Sequence, residues 1–83
     1  PVGDKKQEVI DQVLEVTGSL ARDYDIIWGS MLKQAVRRVY PGFSEHYYGF
    51  RNFSDLLEAI EDQGSMELDF DEARGNYKVT LKE

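Results

Sequence analysis

Apolar positions recur at three- and four-residue intervals in three stretches and then, past Gly64, at every second residue. In the first stretch Val9, Ile10, Val13, Leu14, Val16, Leu20 and Ala21 line one side of a helix that starts at Asp4, read as its N-cap, and runs toward Tyr24. Thr17 and Gly18 weaken the pattern, so fraying or a bend is expected there. Asp25-Ile26-Ile27-Trp28-Gly29 is β-branched and aromatic between breakers, and reads as a brief strand over residues 26–28. Leu32, Ala35, Val36 and Val39 then predict a helix over residues 30–40, capped by Ser30 and ended where Pro41 forces Tyr40 out of the helical region.

Ser44 and Gly49 bracket one short helical turn through Glu45, His46, Tyr47 and Tyr48. Asn52 is the N-cap of a third main helix over residues 53–63, with Asp55 three positions on as its capping-box partner. Phe53, Leu56, Leu57 and Ile60 form its stripe, Asp55, Glu58, Glu61 and Asp62 point outward, and Gly64 is the left-handed stop. Met66, Leu68 and Phe70, then Tyr77, Val79 and Leu81, alternate with polar residues around a turn at Ala73-Arg74-Gly75-Asn76, which predicts a hairpin over residues 65–82 with those six on its inner face. A lone hairpin is unstable in water until its apolar face is covered. Packing it on the helices, with the short strand at the sheet edge, gives an α+β winged helix-turn-helix: three main helices, one short helical turn and a small antiparallel sheet whose hairpin is the wing.

The chain has 83 residues, which allows one domain and excludes a large enzyme with a deep cleft. It holds no cysteine, so disulfides, thiolate catalysis and zinc ribbons are excluded, in keeping with a cytoplasmic location. No apolar run approaches the ~20 residues of a membrane span and the start has no signal-like segment, so we expect an excised piece of a longer chain with no membrane partner. The net charge of −6 is unevenly spread: residues 28–53 sum to +3, whereas residues 54–73 hold eight acids and no base. A globally acidic domain repels nucleic acid at long range, so any polyanion contact must come from the local basic segment.

In that segment Lys33 and Arg37 lie one turn apart with Arg38 beside them, and Arg51 and Asn52 sit where free N–H groups of the third helix emerge. With Arg74 of the hairpin turn these are the candidate phosphate contacts. Six aromatics fall between Tyr40 and Phe53; Phe43, Phe50 and Phe53 read as core, and Tyr47, beside Glu45 and His46, reads as the exposed one able to stack on an unpaired base. The third helix would present Asp55, Glu58 and Asp62 to a DNA groove, which is unfavourable in sign; those carboxylates are instead a solvated face or a contact for a protein partner, for which the sheet edge is the other candidate. His46 has no second metal ligand or nucleophile beside it, Asp69-x-Asp71 has Arg74 where a calcium loop requires glycine and reads as the outer face of a strand, and no phosphate-cradling glycine loop occurs. No metal, cofactor or catalytic residue is therefore assigned, and a non-catalytic binding domain is expected.

Ser30-Met31-Leu32-Lys33-Gln34-Ala35, Pro41-Gly42-Phe43-Ser44 and Tyr48-Gly49-Phe50-Arg51-Asn52-Phe53-Ser54-Asp55-Leu56-Leu57 occur in that order, and the segment from Trp28 to Val79 resembles the LOTUS domain, also called OST-HTH, in the minimal form at the C-terminus of bacterial NYN-domain proteins. The resemblance implies a linker remnant at residues 1–4 and a winged-helix domain over residues 5–83. It further implies binding of guanine-rich or quadruplex RNA on behalf of a covalently linked NYN-type ribonuclease domain. In animal relatives an extended form with an extra C-terminal helix docks on a DEAD-box helicase; ending on its last strand, this sequence resembles the shorter form.

Overall fold

The computed structural model describes residues 2–82, and its elements follow the expected order. Helix α1 spans Val2–Asp23, strand β1 Ile27–Trp28, helix α2 Gly29–Val39, a 3₁₀ turn His46–Tyr48, helix α3 Phe53–Gln63, and strands β2 Met66–Asp71 and β3 Asn76–Leu81. The strands form one antiparallel sheet in the order β1-β3-β2. Helix α1 lies against α2, α2 against β3 and α3 against β2, so the core fills the space between the three helices and one face of the sheet.

Spacing explains which side chains meet there. Val9, Ile10, Val13 and Val16 of α1, Leu32, Ala35 and Val36 of α2, and Phe53, Leu56, Leu57 and Ile60 of α3 are all buried. Ile27, Met66 and Val79 close the core from the sheet, and Phe43 closes it from the connector. Phe43 meets Phe53 edge-on at 6.0 Å between ring centroids, which fixes the connector to the start of α3.

Several sequence expectations are corrected. Helix α1 begins at Val2, so Asp4 stands inside its first turn rather than at its cap. Helix α1 runs without a break through Thr17 and Gly18, and the fully buried Thr17 hydroxyl is satisfied by donating to the Val13 carbonyl at 2.7 Å. Strand β1 starts one residue later than expected and leaves Ile26 exposed.

Trp28, not Ser30, is the N-cap of α2, without a side-chain capping bond; Ser30 Oγ accepts from Asn76 Nδ2 at 2.8 Å instead. Val39 ends its stripe past the edge of the core and is 55% exposed. Phe70, expected on the buried face of the hairpin, is 52% exposed and lies near the end of β2, outside the core cluster. There Phe70 packs only on its cross-strand partner Tyr77, with ring centroids 5.2 Å apart.

At the ends of α3 the Asn52 cap and the Gly64 stop form as expected, and only the reciprocal bond of the capping box does not. Asn52 Oδ1 accepts from the Asp55 N–H at 2.8 Å, while the Asp55 carboxylate turns to Arg51 rather than back to the cap. Gly64 takes φ 87° and its N–H returns to α3, a backbone geometry that a side chain disfavours. Replacing Asn52→Ala leaves the Asp55 N–H without its protein acceptor and is expected to cost about 1 kcal/mol, read as a lower urea midpoint with an unchanged slope.

Gly29 marks a close approach between α2 and the wing. A Cβ on it would lie 3.2 Å from Asn76 Oδ1 and 3.5 Å from Leu57 Cδ1, so the glycine lets β3 and α3 close on the start of α2. The wing is thereby seated at the N-terminal end of α2, which decides the surroundings of the candidate site.

Candidate nucleic-acid interface

Because α2 buries Leu32, Ala35 and Val36 on one side, Lys33, Gln34, Arg37 and Arg38 are forced to the other. Arg37 and Arg38 occupy its last turn, where the helix dipole favours positive charge. Both are exposed, and among the described residues no carboxylate lies within ion-pair distance of either. Arg38 borders the groove between α1 and α2 that Glu15 and Asp23 also line, whereas Arg37 follows Lys33 along the helix.

The remaining cations are partly engaged. Lys33 Nζ lies 3.5 Å from Glu45 Oε2, which ties α2 to the residue that opens the 3₁₀ turn. Arg51 Nε donates to Asp55 Oδ2 at 2.8 Å, and that bond, then the charge of Asp55, raises the pKa of its guanidinium. Arg51 remains largely exposed, so the pair stabilises little by itself. Arg74, at the wing turn, reaches Asp71 at 3.9 Å and places its Cζ 4.8 Å from the centre of the Trp28 ring.

The sequence-predicted residues thus form two groups. Lys33, Arg37 and Arg38 share α2, with Arg74 reaching the start of that helix from the wing. Tyr47, Arg51 and Asn52 gather at the 3₁₀ turn and the N-terminus of α3. Lys33 connects them: it pairs with Glu45 and borders the same groove as Asn52. Tyr47 is 63% exposed and packs edge-on against Tyr48 at 5.0 Å.

Two cations of this second group escaped sequence reasoning. Lys5 Nζ stands 4.7 Å over the Tyr47 ring and Lys6 Nζ 5.5 Å over the Phe50 ring, so the first turns of α1 add positive charge to the aromatic turn. They lie more than forty positions from their partners in the chain, and only the packing of α1 on the turn brings them there. Trp28 also escaped it, having been read only as part of a strand.

The acidic residues of α3 are drawn into the fold. Asp55 holds Arg51, Glu58 Oε2 accepts from the Tyr77 hydroxyl at 3.1 Å, and Glu61 Oε2 accepts from the Leu68 N–H at 3.0 Å. Asp62 is exposed. Thus α3 spends most of its carboxylates on Arg51 and the wing, a use that period alone does not reveal.

The bond to Glu58, followed by desolvation and neighbouring carboxylates, holds the Tyr77 phenol above its ordinary pKa of 10.0. Since the folded value exceeds the unfolded one, this contribution is complete below the unfolded pKa and is lost as pH rises through the folded one. Tyr77→Phe is therefore expected to remove one component of the stability loss above about pH 10. Urea midpoints of the two proteins compared across that alkaline range check it: their difference should shrink as the pH rises.

The fold and surface together define a small winged helix-turn-helix domain with a basic second helix and an acidic third one. The sequence model of the OST-HTH/LOTUS domain matches residues 4–63, and the chain belongs to that family. The match takes in α1, α2 and α3 and stops before the wing. No curated protein and no solved structure matches the chain. Domains of this family are binding modules, generally for RNA, and generally non-catalytic. Among the described residues no helix is long and apolar enough to cross a membrane, and no group of three or more His, Cys, Asp or Glu side chains is placed to hold a metal ion.

Proposed function

We propose that this domain binds guanine-rich RNA, quadruplex RNA included, and holds it for a covalently linked NYN-type ribonuclease domain of the same cytoplasmic bacterial protein. The observation that carries the RNA reading is the α2 surface: Arg37 and Arg38 stand exposed without carboxylate partners among the described residues, on a chain whose net charge is −6. Cations left unpaired on an acidic domain are available to phosphates. Lys33, Arg51, Asn52 and Arg74 extend the contact, and Tyr47 supplies an exposed ring for an unpaired base. Catalysis belongs to the linked domain; a weak module gains from such linkage through effective concentration.

The alternative, docking of a protein such as a DEAD-box helicase through Asp55, Glu58 and Asp62, draws less support from the surface. Asp55 and Glu58 already hold Arg51 and Tyr77. A partner would have to break those bonds or rely on Asp62.

The test is a mobility-shift titration of the domain with a guanine-rich RNA, a fully paired RNA and a DNA duplex over a range of salt. Retardation of the guanine-rich RNA in preference to both duplexes, weakening as salt rises, is the expected result. Equal affinity for all three removes the guanine-rich assignment, and no shift of any of them at low salt removes the RNA reading.

A further inference from the structure

The only tryptophan of the chain lies outside the core. Alternation along β1 sends Ile27 inward against Val79, whereas Trp28 stands opposite exposed Lys78 on the other face of the sheet. Half-buried there, the indole carries the Arg74 guanidinium 4.8 Å from its ring centre. Arg74 comes from the wing turn, so this contact joins the tip of the wing to the first turn of α2.

Beside the pair is an open recess lined by Trp28, Ser30, Met31, Gln34, Arg74 and Asn76. Although the chain holds 16 Asp and Glu residues and Asp71 stands 3.9 Å from Arg74, the recess itself is lined by no carboxylate. It combines two planar π-faced groups with hydroxyl and amide groups at its margin. Gln34 is exposed, and it lies one turn before Arg37 and Arg38 on α2. An RNA strand held by those arginines is thus led directly to the recess.

Planar groups with hydrogen-bonding neighbours suit a nucleobase, whose faces stack and whose edges both donate and accept. We propose that Trp28 and Arg74 form a stacking site for one unpaired base of the bound RNA, with Gln34 at the base edge. The proposal rests on the RNA reading and deepens it: the domain selects strands with at least one base free of a duplex stack. A base enters against the indole and guanidinium planes while its flanking phosphates meet Arg37 and Lys33. Gln34 offers both an acceptor and a donor to the edge. Duplex RNA has no free base face and gains only the phosphate contacts.

Because Trp28 is the sole tryptophan, its own emission reports on the site. Titration with an unlabelled guanine-rich RNA containing unpaired bases should quench that emission at saturation, whereas a fully paired RNA bound at low salt should leave it nearly unchanged. In parallel, anisotropy of the same RNA carrying a fluorescent label measures affinity independently of tryptophan. Trp28→Leu is expected to weaken binding about 5- to 150-fold, the range for one lost stacked base, without changing the salt slope. Arg74→Lys retains the charge but loses the planar group, and should weaken binding with the slope unchanged even if Trp28→Leu fails to fold.

Wild-type binding by anisotropy with no quenching, together with unaltered affinity of Arg74→Lys, overturns the stacking site and leaves the RNA reading standing. Equal quenching by the paired RNA overturns it too. Absence of any anisotropy change for the wild-type domain overturns both.

Discussion

Arg37→Gln/Arg38→Gln is expected to weaken binding of guanine-rich RNA about 10- to 30-fold near ~0.1 M salt and to lower the slope of log affinity against log salt by about 1.4. The estimate follows from counterion release, in which each phosphate contact on a single strand contributes about 0.7 to the slope. Glutamine removes the charge while retaining a good helix former. It also avoids the repulsion that an acid would meet at the C-terminal end of α2. Neither arginine has an ion-pair partner among the described residues, so the fold should remain intact, which circular dichroism checks. An unchanged slope in a folded variant would remove these two residues from the interface. Glu15 and Asp23 line the groove that Arg38 borders and lower the potential there, so Arg37 should account for the larger part of the loss.

Leu56→Ala is expected to cost about 3 kcal/mol, the largest stability effect of any variant proposed for this domain. Leu56 has no solvent exposure and lies in the first half of α3, in the cluster shared by helices and sheet. For a chain of 83 residues the total stability expected at ~0.05–0.15 kcal/mol per residue is about 4–12 kcal/mol, so this one cavity removes a large share of it. Urea denaturation should show a midpoint lowered without a change of slope. A loss below about 1 kcal/mol would mean that the neighbours collapse into the space, and that the core is less tightly packed than the complete burial of Leu32, Leu56 and Ile60 indicates.

Local signals located the elements because each depends on near neighbours in the chain. The three helical stripes, the left-handed glycine after α3 and the Asn52 cap all express backbone geometry over a few residues. The failures arose where a distant segment decides. Thr17 and Gly18 read as a weak point, yet the Thr17 hydroxyl meets its own helix, and Leu81 of β3 lies across from Gly18. Phe70 has the right period for burial, but it lies outside the core that the helices and sheet share and stays exposed. Ser30 has the chemistry of a cap, but β1 runs straight into α2 and Trp28 takes that position.

The candidate site divides the same way. Sequence alone determined that the basic residues of α2 share a face, because a helix that buries Leu32, Ala35 and Val36 must turn Lys33, Arg37 and Arg38 outward. It also determined the sign of α3. Only the tertiary structure decided that the carboxylates of α3 serve Arg51 and the wing, that Lys5 and Lys6 stand over Tyr47 and Phe50, and that Arg74 lies on Trp28. The reason is one of range. Periodicity fixes the direction of a side chain relative to its own element, whereas its partners depend on how elements far apart in the chain come to pack.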